Sequence, residues 1–225
     1  NDLTYYCFKA VSEEDRNKIW EESMSIIDEI TEGLDHVADG FRAGGWCIQP
    51  FEDFIPYFNK HGIKYEFSVL AGESSFTNAQ YYDFRKAPNK EWYKFGTKVA
   101  EEDPSGDFIQ IPISTIMASS SVKSKNRLWQ KYLWKTGNRF VGDGAGVVPK
   151  TLEAVEPTGR ERVAIELISK PLLKTYKDYM KVNRTMHFIS HTKMLSDHNF
   201  KIFDRFLSQI RSQYDVQTDF KNIPG

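Results

Sequence analysis

The chain has little cysteine, no long apolar run and almost no net charge. Only Cys7 and Cys47 occur in 225 residues, with no Cys-x-x-C pair, which excludes a disulfide-dense secreted scaffold and fits a reducing compartment. No stretch approaches the roughly 18 consecutive apolar residues of a membrane span, and the amino-terminal region lacks the basic start and apolar run of a secretory leader. The expectation is a cytoplasmic protein with no membrane span. Thirty Lys and Arg oppose 31 Asp and Glu, so the formal net charge of -1 supplies no overall field for nucleic acid or an anionic membrane, and nucleic acid is not an expected partner. No internal repeat, low-complexity tract or linker marks a boundary, and residues 1–225 read as a single domain. An initiating Met is missing too: the chain opens on Asn1, which implies a segment upstream that was removed or never included.

What is present is a sizeable apolar fraction, 40%, and 14% aromatic residues, which suit either an ordinary core or the stacking of sugars. Ser12 followed by Glu13, Glu14 and Asp15 is a helix start. Ile19, Trp20, Ser23, Ile26, Ile27 and Ile30 then recur at helical spacing, predicting a helix over 12–32 that Gly33 ends. Gly40 to Gly45 reads as a short strand entering a glycine-rich turn, Pro50 as the start of a helix with Phe51, Phe54, Ile55 and Phe58 on one face, and Ile63 to Leu70 as a second strand. That order, with short connections, is the pattern of a parallel sheet or barrel, whose chemistry lies at the carboxyl ends of strands. Residues 72–106 read as an excursion with one hairpin, 108–114 as a strand, and 123–135 as a basic amphipathic piece before a glycine-rich run at 141–147. The stretch from Arg160 to Leu167 is ambiguous between helix and strand, and Leu172 to Met180 reads as a short helix. Met186 to His191 reads as a strand, and Ser196 as the cap of a helix facing inward through Phe200, Phe203, Leu207 and Ile210.

Arg42 ends a predicted strand just before Gly44 and Gly45, where backbone can approach another group closely. The run Gly40-Phe-Arg-Ala-Gly-Gly-Trp-Cys-Ile-Gln-Pro-Phe51, followed by Gly62-Ile63 and a strand, resembles the arginine motif of polysaccharide deacetylases of surface-polysaccharide synthesis. Phe188-Ile-Ser-His-Thr-Lys-Met-Leu-Ser-Asp-His198 resembles the late histidine motif of the same carbohydrate esterase family. The resemblance implies an α/β fold, a distorted (β/α) barrel whose amino-terminal strands are missing from this chain. It implies a hydrolase that removes acetyl groups from an N-acetylated oligo- or polysaccharide with a divalent metal, usually zinc. In that reading His191 is the acid that protonates the leaving amine, Arg42 positions an aspartate base, and Gly44, Gly45 and Trp46 line the sugar, with Trp46 either stacked on it or packed as core. Arg42 and His191 would face one cavity.

The family's paired aspartates and its histidine pair, which hold the metal, precede the arginine motif; here 41 residues precede Arg42 and contain only His36 and scattered aspartates. The expectation is therefore no metal ligands in this chain and no activity from it alone. His187 and His191 are four apart, which on a strand separates them by about 13 Å and does not make a pair. His191 with Asp197 and His198 is the remaining combination, though the last two also read as polar residues of a helix first turn. His36 and His61 read as solvent-facing. Relatives often carry Asp-Ser-Ser where this chain has Tyr65-Glu66-Phe67-Ser68. Two other readings stand beside the enzyme: a carbohydrate-binding protein that kept the sugar groove without the chemistry, and an unrelated α/β barrel enzyme using Arg42 on a phosphate.

Overall fold

A computed structural model of the chain describes residues 7–34, 38–136, 150–155, 158–183 and 185–215. His36 and the glycine-rich run 141–147 lie outside them. The chain divides into two compact units, Asn1–Pro112 with Val147–Glu156, and Ile113–Gly146 with Pro157–Gly225. The architecture is mixed α/β, with small sheets of which none closes into a barrel among the described residues. Among those residues no helix is long and apolar enough to cross a membrane.

The first unit begins with α1 (Glu13–Thr31), which starts where the sequence signals. Ser12 Oγ accepts the Asp15 amide at 3.2 Å, and three acids occupy the positive first turn. Its buried face is narrower than the apolar spacing predicts. Trp20 alone is buried, stacked on Tyr57 at 4.7 Å and close to Phe41 at 4.9 Å, while Ile19, Ile26 and Ile30 are 47%, 56% and 71% exposed. The Trp20 ring, packed among other rings, holds the helix, and polar links from Tyr57 to Asn17, from Lys60 and His61 to Glu21 and from Arg16 to Asp53 add to the attachment.

Strand β1 (Gly40–Phe41) leads through a turn and α2 (Ile55–His61) to β2 (Tyr65–Glu66), α2 ending at Gly62 with φ 68°, a left-handed cap. The hairpin β3 (Ser74–Phe76) and β4 (Tyr81–Asp83), then β5 (Tyr93–Phe95) and β6 (Phe108–Gln110), complete the unit. The main sheet runs β1-β2-β6-β5, with β1, β2 and β6 parallel and β5 antiparallel at the far edge. The strand expected over 63–70 forms only two ladder residues, although Val69, Leu70 and Ala71 continue into the core. Most of the aromatic content is core here: Phe51 meets Phe95, Phe58 and Phe108 at 4.8, 5.0 and 5.1 Å.

The second unit pairs β7 (Thr115–Met117) antiparallel with β8 (Arg160–Arg162) and packs α3 (Ser120–Lys135), α4 (Lys170–Val182) and α5 (Asp197–Ile210) about Ile116, Val163, Ile168, Leu172, Tyr176 and Phe206. Arg160 to Leu167, ambiguous by pattern, is half strand and half 3-10 turn. The strand expected over 186–191 reduces to one parallel bridge, Ile189 to Ala164, because the partner backbone leaves the ladder in the turn Ile165–Leu167. On α5 the buried residues are Asn199, Ile202 and Phe206, and Phe200 is 48% exposed, so the inward face is rotated from the one expected. Asn199 turns inward because its amide caps the Glu166 carbonyl at 3.1 Å.

Candidate functional site

Arg42, Gly44, Gly45 and Trp46 lie in the first unit and His191 in the second. Arg42 directly follows β1, at the edge where the parallel strands β1, β2 and β6 end. It is exposed and has no ion-pair partner among the described residues. The turn behind it is held from β2: the Ala43 amide donates to Ser68 Oγ at 2.7 Å. Gly45 and Trp46 both take positive φ, 60° and 61°. For Gly45 this is free, whereas Trp46 is held there by its ring, buried and edge-on to Tyr82 at 6.1 Å. Trp46 is thus packed as core. Gln49 ties the same turn to β4, accepting the Asp83 amide at 2.7 Å and donating to the Asp83 carbonyl at 3.1 Å. Beside it a cleft of about 450 Å³ is lined by Phe76, Tyr81, Tyr82, Asp83, Lys86 and Glu101, a mixture of ring faces and polar groups.

Beneath the turn, the Glu66 carboxyl is fully buried at the carboxyl end of β2. Burial pushes it up to about 7, against the lowering effect of the Ser68 amide, which donates to both oxygens at 2.8 and 2.9 Å. The folded protein therefore holds this proton more tightly than the unfolded chain. The contribution is fully present below the unfolded value near 4.5 and is lost as pH rises through 7, a total of roughly 3 kcal/mol. Glu66→Gln should therefore flatten the pH dependence of the urea midpoint between pH 5 and 8; an unchanged slope would remove Glu66 as its cause.

In the second unit His191 follows the Ile189 bridge, and its Nδ1 lies 2.7 Å from Oε1 of Glu166. The Glu166 side chain is 1% exposed and that of His191 36%, so an interior carboxylate holds a ring that reaches the surface. The His191 backbone amide also points at Glu166 Oε2, at 3.4 Å. The segment is braced by Ser196, which caps α5 and donates to Asn199 Oδ1 at 2.6 Å, while Asn199 Nδ2 bonds the Glu166 carbonyl. A carboxylate against Nδ1 orients the imidazole, an arrangement by which an acid commonly supports a histidine that handles protons. Asp197 sits in the first turn of α5, and His198 accepts the Trp129 indole N–H at 3.2 Å, its pKa lowered by burial and then by Lys170 and Lys201. His61 is not solvent-facing: it is 13% exposed and meets Glu21 at 3.1 Å.

No family model, no curated protein and no solved structure matches this chain. Among the described residues no three His, Cys, Asp or Glu side chains gather to hold a metal ion, so the residues described do not fit a zinc site. The pattern reading of the sequence passed over Glu166. Its signal is a single acid in the apolar stretch Val163-Ala-Ile-Glu-Leu-Ile168, and Glu66 between Tyr65 and Phe67 shows the same signal.

Proposed function

We propose that the chain is the carboxyl-terminal portion of a polysaccharide deacetylase, acting in the cytoplasm on an N-acetylated sugar of a surface polysaccharide. The observation that carries this reading is the Glu166–His191 pair, a buried carboxylate 2.7 Å from a half-exposed imidazole inside the histidine motif. In amide hydrolysis the C–N bond breaks as water oxygen joins the carbonyl carbon, acetate leaves, and the departing nitrogen takes up a proton. His191 supplies that proton and Glu166 steadies the imidazolium that precedes transfer. Arg42, exposed at the end of β1, positions the carboxylate base. The metal that the resemblance implies has no ligand set among the described residues, and no step is assigned to it.

The finer fold proposed with this activity is a distorted (β/α) barrel continuing beyond β1. It is supported by the parallel order β1-β2-β6 and by an apolar groove beside the edge strand β1, lined by Phe8, Ile19, Ile27, Phe41 and Ile63. The aromatic cleft at Phe76 and Tyr81 favours a second reading, a sugar-binding protein without the chemistry. Amine release from an N-acetylated oligosaccharide, measured on the protein at its full natural length with zinc supplied, separates the two. Amine is expected, and Arg42→Ala should lower its rate; saccharide binding without amine would establish the second reading instead.

A further inference from the structure

The near-zero charge of the chain conceals a polarised distribution. The first unit holds 12 Lys and Arg against 23 Asp and Glu, whereas the second holds 18 against 8. α3 concentrates the excess, with five cations and no carboxylate in Ser120–Lys135. At 100° per residue Val122, Trp129 and Leu133 share one side, and they are the ones the fold covers: Leu133 is buried, and Val122 and Trp129 are half-buried. Lys123 turns to the sheet and pairs with Glu161 at 3.2 Å.

The opposite arc, about 160° wide, carries Arg127, Lys131, Lys135, Leu128, Tyr132 and Lys125 in that angular order, all exposed. None of its four cations has an ion-pair partner among the described residues. Leu128 is 67% and Tyr132 57% exposed, and both sit between cations on either flank.

We propose that this arc of α3 docks flat on an anionic lipid surface. Leu128 and Tyr132 stand one turn apart at the centre of a cationic arc, where water gains nothing from Leu128 and the Tyr132 ring, though 5.7 Å from that of Trp129, stays more than half exposed. At the boundary between headgroups and acyl chains the same arrangement has a use. Leu128 enters the acyl region, the Tyr132 ring sits at headgroup level, and the flanking Lys and Arg side chains extend sideways to lipid phosphates. A soluble polyanion would engage the cations equally well, but it offers no apolar phase for Leu128, and this favours the bilayer. The docking stands independently of the deacetylase reading.

The test is co-sedimentation with vesicles of phosphatidylcholine alone and of phosphatidylcholine and phosphatidylglycerol in equal amounts. The chain is expected to pellet with the second and not the first, and to be released by high salt. Each cation near such a surface is worth roughly a fivefold change in partitioning, so Lys131→Gln with Lys135→Gln should lower it about 25-fold. Leu128→Ser should lower it roughly tenfold at unchanged charge. These side chains are exposed, so the variants keep the fold. A chain that stays in solution with the anionic vesicles overturns the proposal. So does a Leu128→Ser variant that partitions to the anionic vesicles like the original, which would reduce the partner to any polyanion.

Discussion

At full natural length, His191→Ala is expected to slow amine release by about a hundred- to ten-thousand-fold, the range general acid catalysis supplies. The cause is the missing proton at the leaving nitrogen. The same substitution also takes the ring partner from Glu166 Oε1, on a side chain 1% exposed, and because the ring itself reaches solvent the loss is roughly 1–3 kcal/mol of stability. Turnover alone would not separate the two effects. His191→Gln does, because its amide can still donate to Glu166 and keep the fold while carrying no transferable proton. It should unfold near the original urea midpoint and still be slow. Glu166→Gln preserves shape and removes the charge that favours the imidazolium. It should cost roughly ten- to a hundred-fold in turnover while the urea midpoint stays near the original, which a purely structural role for Glu166 would not produce. A His191→Gln protein with the original turnover would end the acid assignment.

Phe206→Ala should lower the stability of the second unit by roughly 3–5 kcal/mol, whereas Phe200→Ala, six residues earlier on the same helix, should change it by less than about 0.5. Phe206 is fully buried and meets Tyr176 and Phe188, each at 5.9 Å between ring centres; its removal leaves a cavity whose walls come from different elements and collapse only partly. Phe200 is 48% exposed and loses little contact. Sequence spacing alone, which places Phe200 inward, predicts the reverse ranking. Urea midpoints of the two variants decide between them, and equal midpoints would contradict the packing described for α5.

The sequence by itself determined the features that depend on neighbours a few residues away. Ser12 and Ser196 cap their helices, Gly62 closes α2 in the left-handed region, and 72–106 contains its hairpin, because capping and turn chemistry act over three or four residues. The order of α1, α2, α4 and α5 is legible on the same local grounds, while the parallel pairing of Gly40 with Tyr65, 25 residues on, follows from the strand-helix-strand order. Tertiary structure alone decided which face of each helix turns inward. α1 carries isoleucines all along one stripe but buries only Trp20, because Tyr57 and Phe41 are where the contact is made. It also decided that His191 has a carboxylate: Glu166 is 25 residues away, in a stretch whose pattern fits helix and strand equally, and only the bridge from Ala164 to Ile189 brings the two together. The separation of charge between the units was likewise invisible in a net value of -1, since a sum over the chain carries no information about where folding gathers each sign.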